Sequence, residues 1–201
     1  MMRRMMFGIG CALAMLCLGG GAASAEEGVA LKQLAPGTVF NYVTKSGGPV
    51  KVTIKSMNGV FIQQEEAGAS TDVVESVAFS IPLSPTRSET MSESDRAAVR
   101  DSFQLKVGNV VKTKHKGETR GYPWTCSDRV FVSGVAKVTV PAGTYDTYLI
   151  ESAQRDMETS WRGDSVCWYS PEVGTCVKVK WRSSKSNSDW ELESVALPAA
   201  Q

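Results

Sequence analysis

The stretch CWYSPEVGTC, Cys167 to Cys176, sets two cysteines around a proline-and-glycine centre. Two thiols this close can do redox chemistry, hold a metal or staple the backbone, and their spacing separates these roles. A redox pair is C-x-x-C, and a zinc knuckle needs further cysteines or histidines nearby; the segment has neither. A turn at SPEVG with a strand on each side would bring the two sulfurs close, provided the Cα atoms come within about 4.4–6.8 Å. We therefore expect a structural disulfide between Cys167 and Cys176. In the chain-entropy model, closing a loop of about ten residues stabilises the fold by about 2.7 kcal/mol. Cys126 then stands as an odd thiol, free, buried or bonded to a second chain.

His115 is the only histidine, so a Ser-His-Asp or Cys-His device would have to use it. It stands in KTKHKGETR, among Lys112, Lys114, Lys116 and Arg120. Period two sends the lysines to one side of a strand and Val111, Thr113 and His115 to the other. We read the run as an exposed hairpin tip with a solvated basic face; contact with phosphate headgroups or an acidic partner is the alternative, weakened because Glu118 interrupts the cluster. Glu65 with Glu66, Asp156 with Glu158, and Glu191 with Glu193 could serve acid/base work, but carboxylates two apart on a strand simply share an exposed face. No segment matches a phosphate-binding glycine loop, a calcium loop or a zinc-protease helix. The expectation is no enzyme, no metal and no cofactor.

The aromatic residues are more suggestive. Trp124, Tyr148, Trp161, Trp168 and Trp181 fall in the second half of the chain, together with Tyr122, Tyr145, Tyr169 and Trp190. A curved sheet could gather Trp124, Tyr148, Trp161, Trp168 and Trp181 on its concave side as a ligand-binding set, because each has an apolar body and a polar handle. The competing reading is that they fill a core.

The elements that would position these residues are mostly strands. Thr38 to Lys45, Pro49 to Ser56 and Val60 to Glu65 are short runs separated by the turn signals SGG and MNG, and KVTIK (Lys51 to Lys55) alternates as a half-buried strand does. Thr71 to Phe79 is a further candidate, after which Pro82 and Pro85 in IPLSPTRSET rule out a central strand. SESDRAAVRDSFQ, Ser92 to Gln104, has a serine at the cap and acids in the first turn, which predicts a helix. Strands resume over Asn109 to His115, Val130 to Val140, Thr144 to Gln154, Met157 to Tyr169, Cys176 to Ser184 and Asp189 to Ala196, with Val177, Val179 and Trp181 expected on one face. This predicts a mainly β fold: an antiparallel meander of about ten strands with one short helix, curled into a half-barrel or barrel, with a sandwich as the rival.

The chain opens with Arg3 and Arg4, an apolar run from Met5 to Leu18 and the small residues Ala23-Ser24-Ala25. This is the pattern of a cleaved signal peptide over residues 1–25, its apolar run too short to span a bilayer. Lipidation at Cys17 is the rival, disfavoured because Leu16 precedes it where a small residue is normal. Cleavage would leave residues 26–201 as one β-rich domain, periplasmic or secreted, with no transmembrane anchor and a lone thiol at Cys126 besides the expected pair. The chain carries 22 basic and 21 acidic residues, and losing Arg3 and Arg4 leaves it near neutral, so nucleic acid is not an expected partner.

FQLKVGN (Phe103 to Asn109), VTVPAGTYDTYLIE (Val138 to Glu151) and CWYSPEVGTCVK (Cys167 to Lys178) resemble three successive signatures of exported bacterial envelope proteins of uncharacterised function. Those proteins are similar in fold to periplasmic lipoprotein-carrier half-barrels, in which a curved antiparallel sheet holds acyl chains against a helical lid. The resemblance implies a protein that binds a lipid, an acyl chain or a lipidated partner under the segment around residues 80–104. It covers roughly Phe103 to Lys178, and the cysteines flanking WYSPEVG depart from its usual pattern. The alternative is a structural or protein-interaction module of the envelope with a filled core and an envelope protein as partner.

Overall fold

The computed structural model describes residues 28–45, 48–67, 74–80, 91–119 and 122–198. The expected signal peptide and the segment IPLSPTRSET lie outside these residues. Ten strands follow in chain order as β1 (Val39–Thr44), β2 (Pro49–Asn58), β3 (Phe61–Ala67), β4 (Val74–Val77), β5 (Val110–Thr119), β6 (Tyr122–Val140), β7 (Gly143–Asp156), β8 (Arg162–Ser170), β9 (Thr175–Ser183) and β10 (Asn187–Ala196). A 3-10 turn at Ala78–Ser80 and one helix, α1 (Glu93–Ser102), stand between β4 and β5. The strands form one antiparallel sheet in the order β4-β3-β2-β1-β10-β9-β8-β7-β6-β5. Every neighbour is joined by a hairpin or short connection except β1 and β10, whose pairing runs from Val39 opposite Ala196 to Thr44 opposite Trp190.

The sheet is open: among the described residues no pairing joins β4 to β5, so the barrel alternative does not form. Nine strand spacings would hold the edges of a flat sheet roughly 43 Å apart. Instead Val77 of β4 and Val111 of β5 line one cavity, so the sheet bends to bring its two ends around a shared interior. Alternation in β3 shows that both faces are apolar, since Phe61 joins one buried cluster and Ile62 the other. The first cluster packs Phe79, Met91, Val99 and Phe103 against Val111, Val132, Ile150 and Tyr169, with the Phe79 and Phe103 rings stacked at 4.3 Å. The second packs Phe40, Tyr42, Val52, Ile54 and Leu192 against Val138 and Val140 at the tip of the β6–β7 hairpin. Ala142 N–H donates to the Leu192 carbonyl at 3.0 Å, which fixes that tip over β10.

Ser92 caps α1 by accepting from Asp95 N–H at 3.1 Å, with Glu93 and Asp95 in the first turn, where acids suit the helix dipole. The Asp95 carboxylate also accepts from the backbone N–H of Lys114 at 3.1 Å, and Met91 bridges to His115. The helix thus covers the free edge of β5, which would otherwise present unpaired backbone groups.

Four local expectations are corrected. His115 is not at an exposed tip: β5 continues to Thr119, β6 starts at Tyr122 instead of Val130, and His115 is buried while Lys112, Lys114 and Lys116 remain exposed. β8 begins at Arg162, not Met157, because the Asp156 carboxylate accepts from Glu158 and Thr159 N–H and turns the chain there. Those bonds hold the Asp156 carboxyl below its ordinary range and give it a turn-forming role. Finally, Val177 does not share a face with Val179 and Trp181: Trp168 pairs with Lys178 and Tyr169 with Cys176, so Val177 is bulged out of register into the second cluster.

The disulfide forms as expected, with Cys167 and Cys176 Cα atoms 5.5 Å apart, while Cys126 is free and buried. Gly174 closes the intervening turn at φ 88°, and a Cβ there would stand 2.8 Å from the Leu34 side chain, so both backbone and space require glycine. Reduction of the bridge is expected to lower the unfolding free energy by about 2.7 kcal/mol, read from urea unfolding with and without reductant; an unchanged midpoint would mean that the strands alone hold the turn.

Asp189 of β10 bonds Arg182 of β9 and Lys45 beyond β1. Arg182, aided by Lys45, holds the Asp189 carboxyl below its usual range. A depressed carboxyl contributes stability above its unfolded pKa that is lost as pH falls through the folded one. Asp189→Asn is therefore expected to be less stable than the parent near pH 7, by at most about 1 kcal/mol for such partly exposed pairs. The difference should close below about pH 4 in thermal unfolding across pH.

Candidate functional site

Strand register builds one patch on the inner face. Thr113 lies opposite Asp128 and His115 opposite Cys126; Asp128 in turn faces Gln154, and Val130 faces Ser152. Ser152 is opposite Ser165, and Ser165 opposite Trp181. Of these, Thr113, Asp128, Val130, Ser152, Gln154, Ser165 and Trp181 form the floor of a cavity of about 40 Å³ whose roof is Val77, Phe79, Met91 and Val99, while His115 and Cys126 lie beside it. The cavity is apolar at the roof and along Val111, Val130 and Ile150, and polar where Thr113, Asp128, Ser152, Gln154 and Ser165 meet. Ser152 and Ser165 share a hydrogen bond at 2.6 Å. Trp181 fits because Gly163 carries no side chain: a Cβ there would stand 2.4 Å from the indole.

His115 Nδ1 lies 2.9 Å from Asp128 Oδ2, and each side chain is 5% exposed. The contact is close but poorly aligned for a hydrogen bond, and His115 Nδ1 and Asp128 Oδ1 are buried with no hydrogen-bond partner. Trp124 sets its ring edge-on to His115 at 5.2 Å. A buried carboxylate with one oxygen unsatisfied is costly unless something enters to satisfy it.

Cys126, His115 and Asp128 are the residue types of a nucleophilic triad. Burial pushes the Cys126 thiol up to about 11, with Asp128 and Asp156 adding to the shift. A catalytic cysteine needs the reverse, a thiol depressed toward neutrality. Among the described residues no three His, Cys, Asp or Glu side chains form a group that could hold a metal, and no helix is long and apolar enough to cross a membrane.

The five aromatics chosen from sequence do not share one site. Trp181 lines the cavity and stands 6.3 Å from Trp161, Tyr148 packs against the same cluster, and Trp124 packs on His115. Trp168 points to the opposite face, packing on the second cluster beneath Lys178 and Lys180. Sequence reasoning missed Asp128, Thr113, Ser152, Gln154 and Ser165. Asp128 shares period-two phase with Cys126 and Val130, a signal hidden once the strand was started at Val130.

The DUF3108-like family matches residues 43–194. No curated protein matches the sequence. Among solved structures, the chain is similar to the hypothetical lipoprotein YmcC from Escherichia coli, at 9% identity and a TM-score of 0.50, covering 84% of this chain and 90% of the other. It is also similar to a protein with a YmcC-like fold from Bacteroides fragilis, described as a candidate exported protein, at 10% identity and a TM-score of 0.42, covering 84% of this chain and 99% of that one. At 9% identity the likeness to YmcC speaks for the fold alone.

His115→Ala leaves the Asp128 carboxylate buried without its counter-group and is expected to cost roughly 3 kcal/mol of stability. Asp128→Ala should cost a similar amount, and the double substitution at least about 1 kcal/mol less than the sum. Urea unfolding of the three variants checks this; additive costs would mean that the two side chains are neighbours without coupling.

Proposed function

We propose that this chain, which belongs to the DUF3108-like family, is a non-enzymatic protein of the bacterial envelope that holds an acyl chain, of a lipid or of a lipidated protein, between its sheet and α1. The observation that carries this reading is the cavity between the sheet and the roof of Val77, Phe79, Met91 and Val99. Its apolar walls suit hydrocarbon, and Trp181 would flank the guest. Support for an envelope location comes from the expected signal peptide, from a disulfide of the kind that persists in oxidising compartments, and from the fold shared with a hypothetical lipoprotein. The raised Cys126 thiol supports a role without covalent catalysis.

The cavity volume of about 40 Å³ is room for about three waters, well under the several hundred Å³ of a ligand pocket. An acyl chain therefore enters only as roof side chains move aside. The same volume favours a second reading, a protein-interaction module of the envelope whose core is nearly filled.

The two readings part in mass spectrometry of organic extracts from protein exported by a bacterial host, compared with a mock purification. The carrier reading expects a stoichiometric acyl lipid that is depleted when Val99→Arg places a charge in the roof. A clean blank from the parent protein would overturn it and leave the interaction module, for which crosslinking should return a stable partner.

A further inference from the structure

The cavity has a chemically distinct end that restricts what it can hold. Asp128 is among its lining residues, with Oδ2 2.9 Å from His115 Nδ1 and Oδ1 buried without a hydrogen-bond partner. Around it stand the hydroxyls of Thr113, Ser152 and Ser165 and the Gln154 amide. Of these, the two serine hydroxyls are already engaged with each other at 2.6 Å. An unsatisfied carboxylate oxygen is an acceptor only, so it calls for a donor.

We propose that this polar end selects the head of the bound amphiphile: a hydroxyl or amine head that donates to Asp128 is accepted, and an ionised carboxylate head is rejected. The proposal rests on the acyl-chain reading above and adds its head-group chemistry. A hydroxyl placed at Oδ1 completes the hydrogen bonding of a group that is otherwise buried at a cost. A carboxylate in the same place can donate nothing and sets two like charges together in a site removed from water. Asp128 lines the cavity and His115 does not, so an entering head group meets the carboxylate before the imidazole. The protein would thus discriminate between free fatty acids and hydroxyl- or amine-headed lipids of the same chain length.

The test is calorimetric titration of the exported protein at pH 7 with octanol, octylamine and octanoate, which share a chain and differ in the head. Octanol and octylamine are expected to bind, with octanoate at least about tenfold weaker. Asp128→Asn, which removes the charge and keeps the shape, should bring octanoate to within about threefold of octanol. Equal affinity for all three in the parent protein would overturn head-group selection while leaving the acyl-chain reading in place. Failure of all three to bind would overturn both. Should Asp128→Asn not fold, the parent series decides the question by itself.

Discussion

The pairing of β1 with β10 is the constraint on which the rest of the sheet depends. All other strand pairs follow one another in the chain and form with little loop to close. Without β1–β10 the chain would be two separate meanders, β1 to β4 and β5 to β10. The joint is reinforced on both faces and at its end: Tyr42 shares a buried hydrogen bond with Thr175 at 2.8 Å, Asn41 donates to Ser194 at 2.9 Å, and Lys45 meets Asp189. Burial pushes the Tyr42 phenol above its ordinary range, so this hydroxyl stays neutral and available as a hydrogen-bonding group inside an apolar cluster. Because β4 and α1 follow from β3, the same joint sets where they come to rest over β5 to β9.

That placement turns a sheet face into an interior. An antiparallel sheet commonly leaves one face to water, and here the polar alternation of β5 is kept on the outside by Lys112, Lys114 and Lys116. The outer edge of β5 has no strand partner among the described residues, and Asp95 of α1 and Met91 just before the helix supply contacts there. Covering the edge also covers His115 and Asp128. The buried pair is therefore a consequence of how the edge is protected, and its cost falls on the same contacts that hold the helix in place.

The strand meander, the helix after residue 92 and the Cys167–Cys176 bridge were legible because each is written in local pattern: alternation, a serine cap with acids behind it, and cysteines around a Pro-Gly turn. The β1–β10 pairing was not, since nothing in VFNYVT specifies a partner so distant in sequence. Asp128 was hidden for a different reason. A carboxylate between polar neighbours in TCSDRV reads as loop, and only the register with Thr113 shows that it points inward. The bulge at Val177 likewise comes from two strands meeting out of phase beside a disulfide, so alternation within either strand alone assigns the wrong face. The aromatic set was split by the same principle: Trp168 and Cys167 are adjacent in sequence and hence on opposite faces.

The size of the cavity connects these points to binding. A guest larger than about three waters must displace Met91, Val99, Phe79 or Val77, and Met91 is also the residue that bridges to His115. On the proposed reading, making room would therefore loosen the cover over the buried pair and expose Asp128 to an entering guest at the moment when its missing donor could be supplied. Apolar burial of a chain would offset the lost roof contacts, and a donor head would offset the loosened polar end. The apparent affinity for such a guest would then be the intrinsic one reduced by the fraction of molecules with the roof displaced. A sheet whose ends are brought together around a thin roof, with one acceptor left unsatisfied beneath it, would on the proposed reading couple the opening of the cavity to the chemistry of its occupant.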